Sequence, residues 1–152
     1  MKNTLNVIRT LVTAGLLVTG VSAAEKNVSA DTAAADTLVV TCRLVEIPGK
    51  FVPNDVYDYV YIMKYRVLSV EKGTYSGKEL YAGHYNPLIA RKQIHDKMDS
   101  LVDGTVEKFV VGEKHRLTLI TPIESVWDGA IEDEYFDTEL PKYYVLNADL
   151  LQ

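Results

Sequence analysis

The sequence predicts a mainly β protein, a small barrel of five strands with one helix between strands three and four, and three observations carry that prediction. Short runs of alternating apolar and polar residues recur along the chain between glycine and proline stops. One run, from Val56 to Glu71, is unusually long, and its alternation slips by one at Leu68-Ser69, the signature of a bulge that bends a strand so that it serves two sides of a barrel. A single stretch of helical spacing, Ala90, Ile94, Met98 and Leu101, interrupts the strand pattern.

The first strand is read over Leu38 to Ile47, β-branched and alternating, and Pro48-Gly49 ends it. On it Cys42 shares a face with Leu38, Val40 and Leu44, so the lone cysteine reads as a small buried hydrophobe. A loop, Pro48 to Asp55, leads to the long second strand, with Tyr57, Tyr59, Tyr61, Met63, Tyr65 and Val67 on one face. The turn Lys72 to Gly77 makes a hairpin with a third strand, Lys78 to Tyr85, whose Leu80, Ala82 and His84 point to one side. Asn86-Pro87 then offers a cap and a proline at the first helical position, and the expected helix runs about three and a half turns to the stop at Asp103-Gly104. Phe109-Val110-Val111 predicts a short extra strand, and His115 to Thr121 is the fourth main strand, with Leu117 and Leu119 inward and Pro122 ending it. In the connection to Pro141, Trp127, Ile131 and Tyr135 stand four apart and predict a short helix. Tyr143 to Ala148 is the fifth strand, with Tyr144, Leu146 and Ala148 expected on one face.

Ahead of this single domain, residues 37 to 152, the chain reads as an export leader. Lys2 and Arg9 give a positive start, Leu11 to Val21 is uncharged and largely apolar, and Val21-Ser22-Ala23 supplies the small residues of a cleavage site. That apolar run is about half the length a membrane-crossing helix needs, so residues 1 to 23 are expected to be a signal peptide, cleaved before Ala24. Residues 24 to 36, rich in alanine, aspartate and serine, read as a flexible leader. The expected destination is the periplasm or the outside of a bacterial cell. There one cysteine cannot form an internal disulfide, and packing alone must hold the fold.

Cleavage removes two basic residues and no acidic ones, taking the balance from 16 basic against 21 acidic to 14 against 21. An acidic product of this kind is poorly suited to nucleic acid or anionic lipid, which reward a surplus of lysine and arginine. No cofactor is expected. Neither is a metal, since His84, His95 and His115 are spaced as no local zinc motif is. No catalytic residue can be nominated, because the nucleophile elbow, the zinc-protease helix and the phosphate-cradling glycine loop are all missing from the sequence.

The order of elements, with a helix between the third and fourth strands, resembles the OB-fold, a five-stranded Greek-key barrel. Within that class the segment Tyr65-Arg66-Val67-Leu68-Ser69-Val70-Glu71-Lys72-Gly73, followed by Gly77 and a strand, is similar to the hairpin of netrin-like and tissue-inhibitor-of-metalloproteinase-like domains. Those families rely on disulfides, and the inhibitors use an amino-terminal cysteine on the target's zinc. This chain has neither, so the resemblance implies the barrel and not protease inhibition. A strand-rich sandwich or an α+β domain is the alternative arrangement of the same elements.

Two groups of residues are candidates for binding. Tyr59, Tyr61 and Tyr81 lie on strands two and three, a face on which OB barrels bind oligomers, and their rings suit a glycan; the competing reading is that tyrosines of strand two fill or roof the barrel. His84, Asn86, Arg91 and His95 cluster at the junction from strand three to the expected helix, where free amides and Arg91 suit an anion; the competing reading is an ordinary helix cap with solvated side chains. Trp127 joins the candidates from the long connection, which holds Glu124, Asp128, Glu132, Asp133, Glu134, Asp137 and Glu139 without a lysine or arginine. The leading functional expectation is a non-enzymatic binding module for a glycan or an envelope protein, using strands two and three with the loops Pro48 to Asp55 and Pro122 to Leu140. Its rivals are a hydrolase or transferase, or an accessory subunit, working at the strand-three junction, and a structural part of an envelope assembly.

Overall fold

A computed structural model of the chain describes residues 36 to 152, so the expected signal peptide and all but the last residue of the expected leader lie outside the described residues. Among the described residues seven strands are formed: β1 Leu38–Glu46, β2 Tyr59–Lys72, β3 Glu79–Tyr85, β4 Asp103–Gly104, β5 Lys114–Ile120, β6 Ala130–Glu132 and β7 Lys142–Leu151. Five of them close on themselves in the order β1-β5-β7-β3-β2, with β2 returning to β1. Every pairing in that ring is antiparallel except β3 with β7. The result is a closed mixed barrel, compatible with an OB-like arrangement. The two short strands are accessories: β4 lies parallel to β7, and β6 lies parallel to the start of β2.

Closure depends on β2 changing neighbours along its length. Its first half pairs with β3 and β6, its second half with β1, and the register with β1 jumps from Thr41 opposite Ser69 to Cys42 opposite Val67. Leu68 is the residue left over, where the alternation in the sequence slips. An extra residue of this kind sharpens the local twist and turns the strand through the corner.

The apolar residues divide between two layers. Inside the barrel are Val40, Cys42, Leu44, Tyr59, Tyr61, Met63, Tyr65, Leu80, Ala82, Leu117 and Leu119, together with Phe109 and Val145. Outside it, Val60, Ile62, Tyr81, Tyr85 and Tyr144 form a second apolar face, covered by Ile94, Met98, Val102, Ile123 and Trp127 from the two long connections. The alternation of β2 and β3 supplies both layers, odd positions of β2 to the inside and even ones to the outside. This sheet is buried on both faces.

Four expectations need correction. The connection after β3 is not a helix: among the described residues only short 3-10 turns occur, Arg91–Gln93, Asp99–Leu101 and Ile123–Ser125. Side chains and distant carbonyls have taken the groups an α-helix would use. The Arg91 amide donates to the Val106 carbonyl at 3.0 Å, the Asp96 carboxylate accepts from the Met98 amide at 2.8 Å, and Ala90 and Ile94 on either side of the first turn have extended ψ. Such local bonds from aspartate compete directly with the helical ladder. Phe109–Val111 is not a strand; Phe109 plugs the barrel while Val110 and Val111 are exposed. Trp127 and Ile131 do not share a helical face, because Trp127 is buried and Ile131 sits exposed on β6. Tyr144 and Ala148 likewise lie in different layers, since the β5–β7 register passes over Leu146 between Val145 and Asn147.

One glycine is required by packing. At Gly104 φ is +128°, and a Cβ would stand 2.0 Å from the Ala148 carbonyl oxygen, so only glycine brings β4 against β7.

Candidate functional site

Asn86 and Arg91 are almost fully buried, and their polar atoms are directed at the fold itself. Asn86 follows β3 with φ +38°, a left-handed conformation that asparagine tolerates better than most residues. Its amide donates to the Tyr59 carbonyl at 2.9 Å, its Oδ1 accepts from the Tyr59 amide at 3.1 Å, and its Nδ2 donates to Asp58 at 2.9 Å. The β2–β3 ladder is thereby carried one step past the end of the strand. Arg91 folds its guanidinium back and donates to the carbonyls of Tyr85 at 2.8 Å, Asn86 at 2.8 Å and Ile89 at 2.7 Å. Its Cζ lies 5.3 Å from the centre of the Phe109 ring, and burial pulls its pKa down to about 10. These contacts tie the connection to the barrel end and leave little of either side chain for a ligand.

The two buried histidines meet inside the barrel. His84, from β3, shares a hydrogen bond of 2.9 Å with the Tyr65 hydroxyl, and His115, from β5, stands 3.3 Å from the same hydroxyl. Phe109 closes over them with ring centroids 4.3 Å from His84 and 5.8 Å from His115. Burial lowers the pKa of His84 well below its ordinary value, and the Arg91 charge adds to that effect. Burial also lowers His115, opposed by Glu113, whose carboxylate lies 3.5 Å from Nε2. Burial raises the Cys42 thiol far above its usual range, so Cys42 is not a nucleophile here. His95 is elsewhere: its side chain is 76% exposed, 3.3 Å from Asp99. His95 and Arg91 border one shallow pocket of about 530 Å³, but His84 and Asn86 do not reach it.

The tyrosines and the tryptophan are also drawn inward. Tyr59 donates to the Val52 carbonyl at 2.7 Å, and burial raises its pKa to about 12. Tyr61 packs edge-on against Phe51 at 4.9 Å, Tyr81 against Tyr135 at 4.8 Å, and Trp127 against Tyr85 at 5.1 Å while donating to the Ala130 carbonyl at 2.9 Å. The three tyrosines and Trp127 are each less than a tenth exposed.

Exposed apolar side chains occur instead on β6 and in the connection after it, part of the long acidic connection that the sequence offered as a binding surface, although Phe136 itself was not singled out. Phe136 is 79% exposed and Val56 63%. Tyr57 is partly exposed and donates to Glu132 on β6 at 2.5 Å. Ile131 of β6 and Leu140 line a common pocket of about 430 Å³ with Glu124, Asp133 and Lys142. Lys142 pairs with Asp133, while Glu132, Glu134, Asp137 and Glu139 face no basic partner among the described residues. The available signal was the acidic run itself, with an aromatic residue in its middle.

Among the described residues no group of three or more histidine, cysteine or carboxylate side chains converges as a metal site, and no helix is long and apolar enough to cross a membrane. No family model, curated protein or solved structure matches the chain.

Proposed function

We propose that the chain is an exported, non-enzymatic binding module of the bacterial envelope or secretome, and that its ligand is another envelope protein with a basic contact surface. What carries this reading is Phe136, a phenylalanine left four-fifths exposed amid unpaired carboxylates. A large exposed apolar side chain is costly to keep in water and is the kind of group that anchors an interface. Ile131 and Leu140, which line one pocket, are further exposed apolar groups of the same segment, and the carboxylates select for lysine and arginine on the partner. β6 adds a short outer edge, paired on one side only, to which a partner's extended segment can add. A glycan is the less favoured ligand, because the rings nominated to stack on it, Tyr59, Tyr61 and Tyr81, are engaged in packing. The rival of an enzyme at the strand-three junction loses support for the same reason. From the netrin-like hairpin the proposal keeps the barrel alone. Residues 1 to 23 are the proposed signal peptide, and mass spectrometry of the exported chain should find Ala24 at its start.

A photo-crosslinking residue placed at Phe136 in the producing cell should yield one discrete protein adduct. The same residue placed at Lys78, on the hairpin turn, should not. Phe136→Ser should weaken the association by about 2 kcal/mol, roughly thirtyfold, and neutralising Glu132, Glu134 and Asp137 together should lower its salt dependence. The reading fails if no adduct forms, if it forms equally from Lys78, or if a glycan array gives a hit that Phe136→Ser leaves unchanged.

A further inference from the structure

The middle of the connection between β4 and β5 is attached to the barrel by one side chain. Its two ends are fixed by backbone bonds. The Thr105 and Val106 amides donate to the Ala148 carbonyl at 3.0 and 3.2 Å, and the Val106 carbonyl accepts from the Arg91 amide at 3.0 Å. At the other end the Gly112 amide donates to the Leu44 carbonyl at 2.8 Å, and the Glu113 carbonyl accepts from the Leu44 amide at 2.9 Å. Between them, residues 107 to 111 form a strap whose one backbone bond, among the described residues, is a turn from the Glu113 amide to the Val110 carbonyl at 3.2 Å. Glu107, Lys108, Val110 and Val111 are exposed, and of the strap's side chains Phe109 alone is buried. Gly112 turns the strap at φ +100°, with nothing within 4 Å of where a Cβ would stand.

Beneath the Phe109 ring runs a chain of hydrogen bonds with a loose end. The Tyr65 hydroxyl has one proton to give and lies 2.9 Å from His84 Nε2 and 3.3 Å from His115 Nδ1, so one imidazole donates to it and the other accepts. Only one of the two directions also turns an N–H toward the Glu113 carboxylate, 3.5 Å from His115 Nε2. In that direction His84 donates to Tyr65 and Tyr65 to His115. His84 Nδ1 is then a bare lone pair, buried and without a partner, and it is where an added proton goes. The groups around His84 do nothing to hold that charge: Tyr65 of β2 and His115 of β5 are neutral, and the Arg91 guanidinium is already a cation. Among the described residues no carboxylate lies within 4.0 Å of it. His115 differs, since it has Glu113 to share a charge with, and Cys42 of β1 beside it is a neutral thiol. The pull of an imidazolium on the Phe109 ring is small beside the penalty of keeping an ion from water. Water can reach His84 most readily where the covering chain is least bonded, which is the strap.

We propose that Phe109 is an acid-released plug: protonation of His84 frees the strap of residues 107 to 111 to swing outward and opens this end of the barrel to water, while the ring of five strands stays closed. In the closed form burial, and next the Arg91 charge, keep His84 neutral; in the open form it titrates near its ordinary value of about 6.5. The open form therefore binds the extra proton, and its share grows as the pH falls through that value toward the closed-form one. The ring of strands is spared because none of its ladders includes residues 107 to 111. The plug is independent of the Phe136 surface and stands whether or not that reading holds.

Cys42 is the reporter. It is the one cysteine of the chain, and it lies inside the barrel with its Sγ 3.6 Å from the His115 carbonyl. Its reaction with a dipyridyl disulfide is followed on the chain as recovered from the producing cell. Each rate is divided by that of the urea-unfolded chain at the same pH, which removes the thiol's own titration. The ratio should rise about tenfold between pH 7.5 and 5.5, and low urea should leave it unchanged, because a local opening exposes little new surface. His84→Phe should remove most of the rise, and Phe109→Ala should label fast at both pH values. Should either variant fail to fold, the parent's own pH and urea dependence still decides. A ratio that stays flat with pH overturns the proposal. So does one that climbs with urea as steeply as global unfolding, or a folded His84→Phe variant that keeps the full rise.

Discussion

Arg91→Met is expected to destabilise the protein by about 3 to 5 kcal/mol, read as a fall in the urea midpoint without a change of slope. Three carbonyls, those of Tyr85, Asn86 and Ile89, accept from this one guanidinium, and only that of Asn86 has a second donor there, the Ile89 amide at 3.0 Å. Methionine fills much of the volume but donates to none of them, and each carbonyl left buried without a donor costs about 1 to 3 kcal/mol. The loss is not the full sum, because the connection can open and admit water. Arg91→Lys should recover less than half the deficit, since a point charge cannot serve three acceptors spread across a fork. A variant that unfolds at the parent's urea concentration would show that the bracket contributes nothing.

Acid should weaken the fold before the carboxylates titrate. His84 and His115 are kept neutral inside the barrel, with pKa values below 6.5, whereas in the unfolded chain they protonate near that value. The unfolded state therefore binds more protons, and the stability held above pH 6.5 is lost as the pH falls toward the folded-state values. The expected slope is about 1.4 kcal/mol per pH unit for each histidine. His115 reaches its limit first, because Glu113 offsets part of its burial, and His84 continues downward. Urea melts at pH 7.5, 6.5 and 5.5 measure the slope. His84→Phe, which keeps an aromatic ring beside Phe109, should cost stability at pH 7.5 through the lost Tyr65 partner yet flatten the decline. An unchanged slope in that variant would assign the acid sensitivity to other groups.

The strands were legible because two-residue alternation is a direct imprint of a sheet face. The run read from Val56 became β2 from Tyr59 onward, with Val56 and Tyr57 left exposed ahead of it, and even its slip at Leu68-Ser69 fell where the register with β1 jumps. The expected helix shows where this inference stops. Ile94 and Met98 are buried, as their spacing says, but they cover the outer face of β2, β3 and β7 from a connection of turns. Spacing reported which side chains are covered and not the backbone that carries them; the long-range bond from Arg91 to Val106 that displaced the helix leaves no local trace. The candidate residues were read with the same partial success. Tyr59, Tyr61, Trp127, His84, Asn86 and Arg91 are polar or aromatic groups in special places, and the special place turned out to be the interior. β4 and β6, two and three residues long, are too short for any periodicity to reveal.

The parallel seam between β3 and β7 has a consequence for how the molecule comes into being. β7 stands between β3 and β5, so neither of those strands has its second neighbour until residues 142 to 151 have been made. A nascent chain paused before that point is an unclosed sheet with two bare edges, slow to settle because the partners it awaits are far off along the chain. A late-arriving keystone of this kind keeps the polypeptide pliable and lets it lock only once residues 142 to 151 can enter the sheet.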